Sequence, residues 1–262
     1  MLIKRLIIKV LSWLPKKKKE PLDTLMVANT IPDKKDKRDI SFVASASPEK
    51  RFHVIPNLPP IRNQGPISSC ASFAATRCHE IMLKQENRYI EGSELFHYYN
   101  AIMNVYGSQI DSGMPIRDAC KTSHKYGMAM ERAWPYDSRN WSKIPPKVAY
   151  WLANLFPISR YERVLGLDSI KVTLDRNIPV ICGIMADREF FNLSILNWTW
   201  KPKKRGTYGH AVNIIGYDDE KQEFIIENSW GTNWGKAGRF RISYSDFENV
   251  SFDTWRMLTE KW

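Results

Sequence analysis

Gln64-Gly65-Pro66-Ile67-Ser68-Ser69-Cys70-Ala71-Ser72-Phe73 is where the chain turns from loop to helix. Gly65 and Pro66 close a run of turn formers over 56–66, and a helix is expected from near Ser69 through Glu80 to about Gln85. Phe73, Ala74, Arg77, Ile81 and Leu83 give that helix both core and surface positions. Cys70 falls in its first turn. Unpaired backbone N–H groups and the positive end of the helix dipole there favour a thiolate over a thiol. Position alone does not make it a nucleophile, because most lone helical cysteines are buried apolar residues.

Working outward, further helical stretches fit 91–105, 115–126 and 168–176. The later half changes texture. Pro179–Met185, His210–Tyr217, Glu223–Glu227 and Arg239–Tyr244 are short β-prone runs parted by Gly, Asp and Lys turns. Helices first and strands afterwards predict an α+β protein with two packed lobes. Its 262 residues, 43% of them hydrophobic, can bury a core and argue against a wholly disordered chain. No stretch reaches the ~18 uncharged apolar residues of a membrane span, which excludes a multi-span membrane protein.

The net charge of +11 is unevenly placed. Residues 1–51 hold 13 Lys/Arg and 6 Asp/Glu, a net of +7, and residues 52–262 carry only +4. This leader precedes a body whose texture becomes globular from residue 52. Residues 2–14, LIKRLIIKVLSWL, fit an amphipathic helix with Lys4, Arg5, Lys9 and Ser12 on its polar side. Pro15 stops it, Lys16–Lys19 follow, and 20–51 reads as a linker. Residues 2–19 suit an anionic membrane surface or an acidic partner, or a helix packed on its own domain. Lys9 interrupts the apolar run and no small-residue cleavage site follows, which argues against a signal peptide. Nucleic acid is not an expected partner, since the body is only mildly basic. A second cluster, Lys201-Pro202-Lys203-Lys204-Arg205, follows Phe190-Phe191 and Asn197-Trp198-Thr199-Trp200. It reads as a solvated loop beside packed aromatics, or as a loop overhanging a cleft that selects acidic substrates.

Two further segments bear on Cys70. In Gly209-His210-Ala211-Val212, a histidine enters a β-prone strand behind a glycine. In Glu227-Asn228-Ser229-Trp230-Gly231, an asparagine after a strand can hold an imidazole in orientation without drawing off its proton, and Trp230 can cover that bond. Either segment alone is unremarkable. His210 follows Cys70 by 140 residues and Asn228 follows His210 by 18. Together with Gln64-Gly65, Ser112-Gly113-Met114-Pro115 and Trp134-Pro135-Tyr136, these segments resemble the papain-like cysteine peptidases over roughly residues 56 to 250. The likeness is to a divergent member of prokaryotic or viral type.

That resemblance implies the papain-like two-lobe fold, a helical lobe on an antiparallel, barrel-like β lobe, with the site in the cleft between them. It implies a cysteine endopeptidase in which Cys70 attacks, His210 is its proton partner, Asn228 orients His210, and Gln64 with the Cys70 N–H forms the oxyanion hole. Gly113, Met114, Ser68, Gly209 and Trp230 are the expected substrate-binding residues, with Met185 a further candidate pocket wall. Protein or peptide is the expected substrate, with no metal and no cofactor, and a monomer is expected. An acyltransferase or deamidase using the same three groups, and a non-catalytic binding protein on the same scaffold, are the alternatives. The leader is expected to be 1–51 and the catalytic domain 52–262, with its helical lobe about 64–155 and its β-rich lobe about 156–262.

The family's nucleophile motif carries a second cysteine, bridged to a residue just before the substrate-binding glycines. Here those positions are Ile67 and Ile110, which are expected to pack together in place of the bridge. Cys78, Cys120 and Cys182 are expected to be reduced and buried, which suits the cytoplasm or another reducing compartment. The family's long helical pro-segment signature is missing from the leader. A targeting or docking arm is therefore its simpler reading, and a segment that crosses the cleft the alternative.

Overall fold

The computed structural model describes residues 27–262, so the expected helix over 2–14 and the run Lys16–Lys19 lie outside the described residues. Helix α1 spans Cys70–Gln85, and fourteen of its sixteen residues are buried, Arg77, His79 and Glu80 among them. It is therefore the central helix and has no solvent face to read. Helix α2, Glu94–Tyr106, is capped by Ser93, whose hydroxyl accepts the Phe96 N–H, and is closed by Gly107 in the left-handed region. Helix α3, Ile116–Tyr126, starts after Pro115. A short helix α4, Lys147–Ala153, follows Pro146 and was not expected from its sequence.

The rest of the chain builds one sheet. Strands β1 (Ser41–Phe42), β3 (Arg160–Val164), β8 (Ser251–Leu258), β4 (Val180–Ala186), β5 (Tyr208–Asp218), β6 (Glu223–Glu227) and β7 (Arg239–Ser243) lie in that order, and β2 (Phe52–Val54) pairs with β5. All pairings are antiparallel except β1 with β3. The sheet is an open path from β1 to β7 and does not close, so the expected barrel-like lobe is an open, mainly antiparallel sheet without a closing pair. Residues 41–42 and 52–54 thus stand in the same sheet on both sides of residue 51.

Strand β5 is the axis of this sheet. Its first seven residues pair with β4 and its last three with β2, and every residue but Tyr208 is buried. Strands β3 and β8 carry charged residues that hide their pattern in the sequence. Glu162 and Arg256 face each other in register, and the Arg256 Nε donates to Glu162 at 2.8 Å, so the charges neutralise across the pair. Helix α5, Leu167–Asp175, sends Ile170 and Leu174 into the core made by β4–β7. A second core joins α1, α2 and α3 to Ile181, Ala211, Trp255 and Met257 of the sheet. The first turn of α1 ends against this seam between helices and sheet, and Cys70 is part of its packing.

Candidate active site

Three elements bring the site together. Helix α1 presents Cys70 at its first residue, β5 carries His210, and Asn228 follows the last residue of β6. Because β5 and β6 are paired with Asn213 opposite Glu227, the end of β6 returns beside the start of β5. His210 Nε2 lies 2.7 Å from Asn228 Oδ1. The same oxygen accepts the Ser229 N–H at 2.7 Å, which fixes the amide orientation. The Trp230 ring stacks on His210 with centroids 4.6 Å apart, and Phe191 stacks on the other side of Trp230 at 5.3 Å. His210 is completely buried and Trp230 nearly so, so the His–Asn bond is held away from water.

Gln64 is bound into the same corner. Its N–H donates to Ser229 O at 2.8 Å, its Oε1 accepts from the Ser229 hydroxyl at 2.6 Å, and neighbouring Asn63 bridges to Trp230. The Tyr136 hydroxyl donates to the Gln64 carbonyl at 2.5 Å. The Gln64 side-chain amide is thereby oriented, with Nε2 turned toward the cleft and donating to Ile67 O at 3.2 Å.

All four cysteines are free and buried, but they are chemically unlike. Burial pushes Cys78 up to about 12 and raises Cys120 and Cys182 well above the ordinary thiol range. Burial also acts on Cys70. There the hydrogen-bonding capacity and charge of His210, helped by the Thr30 hydroxyl, outweigh it and bring the thiol down to about 7. No acidic residue occupies the first turn of α1 to oppose this.

The cleft is occupied by the chain's own residues 27–30. Thr30 Oγ1 lies 3.0 Å from Cys70 Sγ, and the Thr30 N–H donates to Gly209 O at 2.7 Å. Gln64 Nε2 donates to Val27 O at 3.1 Å, and Asn29 Nδ2 to Ser68 Oγ at 3.3 Å. Close passage of this strand requires two bare α-carbons. A Cβ on Gly113 would sit 1.0 Å from Asn29 O, and one on Gly209 1.8 Å from Thr30 O. Beyond the cleft, Asp33 anchors the arm: its carboxylate accepts from Trp255 Nε1 at 2.7 Å and pairs with Arg163 at 2.8 Å.

The model of the papain family of cysteine proteases matches residues 49–254.

The chain belongs to the papain family of cysteine proteases.

A peptidase C1-like protein of Acanthamoeba polyphaga mimivirus is 29% identical over 263 residues, covering 86% of this chain and 84% of the viral one. Cathepsin C of Schistosoma mansoni is 24% identical, but the chain spans only 44% of its length. Among solved structures, xylellain, a cysteine protease from Xylella fastidiosa, is 29% identical with a TM-score of 0.79, over 94% of this chain and 99% of that one. A digestive procathepsin L 3 of Tenebrio molitor shares the fold, with a TM-score of 0.70 at 21% identity.

As a papain-family cysteine protease the chain departs from expectation at three places. Ile67 is buried but Ile110 is 48% exposed, so no buried isoleucine pair replaces the family bridge. Asp111 ties those segments instead, accepting the Ser68 N–H at 2.9 Å and the Tyr98 hydroxyl at 2.5 Å. Met114 is fully buried in the helical core with Ile67 and Cys70. Sequence reading favoured a targeting arm and did not single out Thr30 or Asp33. The signal was slight: a threonine and an aspartate in a polar linker carry no periodicity, and only the cleft gives them partners. Among the described residues no helix is long and apolar enough to cross a membrane, and no cluster suited to a metal ion is present.

Proposed function

We propose that this cysteine protease is an endopeptidase working through Cys70, His210 and Asn228. Cys70 attacks the scissile carbonyl as a thiolate, and the protonated His210 gives its proton to the departing amine. The C–N bond breaks, leaving a thioester between substrate acyl group and Sγ, which water then hydrolyses with His210 taking the proton. Asn228 holds the imidazole, and Trp230 keeps water from their bond. Gln64 Nε2 and the Cys70 N–H donate to the oxyanion. Ser68, Gly113 and Gly209 contact the substrate on the other side, where the two glycines admit an extended backbone and Met114 backs that wall from the helical core.

One observation carries the reading. Of four buried thiols, Cys70 alone is drawn down to about 7, beside an imidazole whose far nitrogen is 2.7 Å from an asparagine. The occupied cleft adds that the chain is latent as it stands. Thr30 meets the thiol with its hydroxyl, while the carbonyl at Gln64 belongs to Val27, so no carbonyl of the arm stands at both groups. Activity therefore requires residues 27–33 to leave. Residues 1–51 are accordingly read as a regulatory leader in front of a catalytic domain at 52–262.

Incubation with a peptide library and with a thiol-directed epoxide label after removal of residues 1–33, Cys70→Ala treated in the same way serving as control, tests this. Cleavage and labelling by the wild type, both lost in the variant, are expected. Labelling with acyl transfer or deamidation but no cleavage would replace endopeptidase by those activities. Identical behaviour of wild type and Cys70→Ala would refute catalysis.

A further inference from the structure

The connection between β4 and β5, residues 187–207, holds five basic and two acidic residues, +3 of the +4 carried by residues 52–262. Both acids are spent internally. Asp187 is buried, accepting from Trp200 Nε1 at 3.0 Å, and Glu189 is paired with Lys203 at 2.7 Å. Arg188, Lys201, Lys204 and Arg205 remain exposed.

The same connection turns tightly at Ser194–Asn197, whose backbones exchange hydrogen bonds of 2.9 and 3.1 Å. At its tip Ile195 is 69% and Leu196 94% exposed, adjacent large aliphatics held out in water. The turn is rigidly backed. Trp198 lies under Lys236 and Arg241, at 4.8 and 4.4 Å, and its carbonyl accepts the Arg241 N–H at 2.9 Å on the sheet edge. Holding two aliphatics outward on a braced tip, inside the body's main basic segment, is not explained by packing.

We propose that this turn docks the protein on an anionic lipid surface, with Ile195 and Leu196 entering the headgroup boundary and the surrounding Lys and Arg meeting lipid phosphates and carboxylates. Charge complementarity decides the occupant. A second copy would bring the same positive loop. The chain's own first nineteen residues hold seven basic residues and no acidic one, so they too are repelled by it. A two-residue tip offers far less than the roughly 800 Å² per partner of a stable protein interface, whereas a bilayer accepts a tip without a matching surface. The inference does not depend on peptide cleavage.

Co-sedimentation of the full chain with phosphatidylcholine vesicles, with and without about 30% phosphatidylserine, tests it. The wild type should bind the anionic vesicles, and bind weakly to neutral ones. Ile195→Asn/Leu196→Asn should lower the partition coefficient about tenfold, and Lys201→Glu/Lys204→Glu by a similar factor, with melting temperatures unchanged. Leu196→Trp should raise it. Absence of wild-type binding, equal binding to neutral vesicles, or loop variants that bind like wild type would overturn the proposal. So would equal retention of wild type and the double asparagine variant on immobilised polyglutamate without vesicle binding, which would assign the loop to acidic proteins.

Discussion

Cys70 and Cys78 sit two turns apart on one helix, both buried and both free, yet their thiols are pushed in opposite directions. The difference is the neighbour: Cys78 offers its thiol to the Pro179 carbonyl at 3.7 Å, while Cys70 has an imidazole and a hydroxyl. Because the Cys70 value is lowered from 9.0 to about 7, its thiolate becomes available as pH rises through about 7, two units earlier than for an ordinary thiol. Mass-spectrometric alkylation after arm removal should therefore find Cys70 labelled with a midpoint near that pH, and Cys78, Cys120 and Cys182 unlabelled in the folded protein up to pH 9 or so. Gln64 is tested by truncation. Its Nε2 is the donor aimed forward by Ser229 and Tyr136, so Gln64→Ala should lower kcat about 100-fold with little change in KM, measured on a peptide substrate after arm removal.

At the scale of elements, the arm over 27–33 behaves as an extra strand threaded between helix and sheet. Its hold has two parts: main-chain and side-chain bonds in the cleft, and the Asp33 anchor on Arg163 and Trp255. The Asp33 side chain is fully buried, so removing it breaks charge-assisted bonds that water does not replace. Asp33→Ala should weaken docking by about 1.5–3 kcal/mol and speed labelling of Cys70 by roughly 10–100-fold at neutral pH. An unchanged rate would show that the cleft contacts alone hold the arm. The elements themselves were unequally legible. Helices α1, α2, α3 and α5 and strands β4–β7 lie within a few residues of the expected bounds, because turn formers bracket them and their residues suit helix or strand even where, as in α1 and β5, burial leaves no period to read. Helix α4 is a single seven-residue segment docked by Leu152 and Ala153, and β3 and β8 hide behind the Glu162–Arg256 pair. Local pattern cannot reveal an element whose stability comes from its partner.

The whole molecule is tied across its two halves by buried charge. Arg77, two turns from Cys70 on α1, bonds through Nε to Glu227 at 2.5 Å, and its other nitrogens hold the carbonyls of Pro59 and Pro60. Glu227 immediately precedes Asn228 and also pairs with Arg239 at 3.1 Å. Glu227→Ala would remove the nearer carboxylate from a buried guanidinium, leaving it Glu80 at 3.8 Å, and should destabilise the fold by about 3 kcal/mol, seen as a fall in Tm of roughly 6–12 °C. Calorimetry checks it. By itself the sequence determined the family and the α+β order of elements, and it singled out Gln64, Cys70, His210 and Asn228 as the candidate site. Those are set by chemistry that tolerates few side-chain types at fixed order along the chain. Only the tertiary structure decided that Asp111 stands where a disulfide was replaced, that residues 27–30 fill the cleft, and which of four buried thiols is lowered. Each of these depends on partners that lie far away along the chain, such as the 40 residues between Thr30 and Cys70 and the 140 between Cys70 and His210. Such pairings leave no periodicity in the residues that make them, and come into being only when the sheet closes on the central helix.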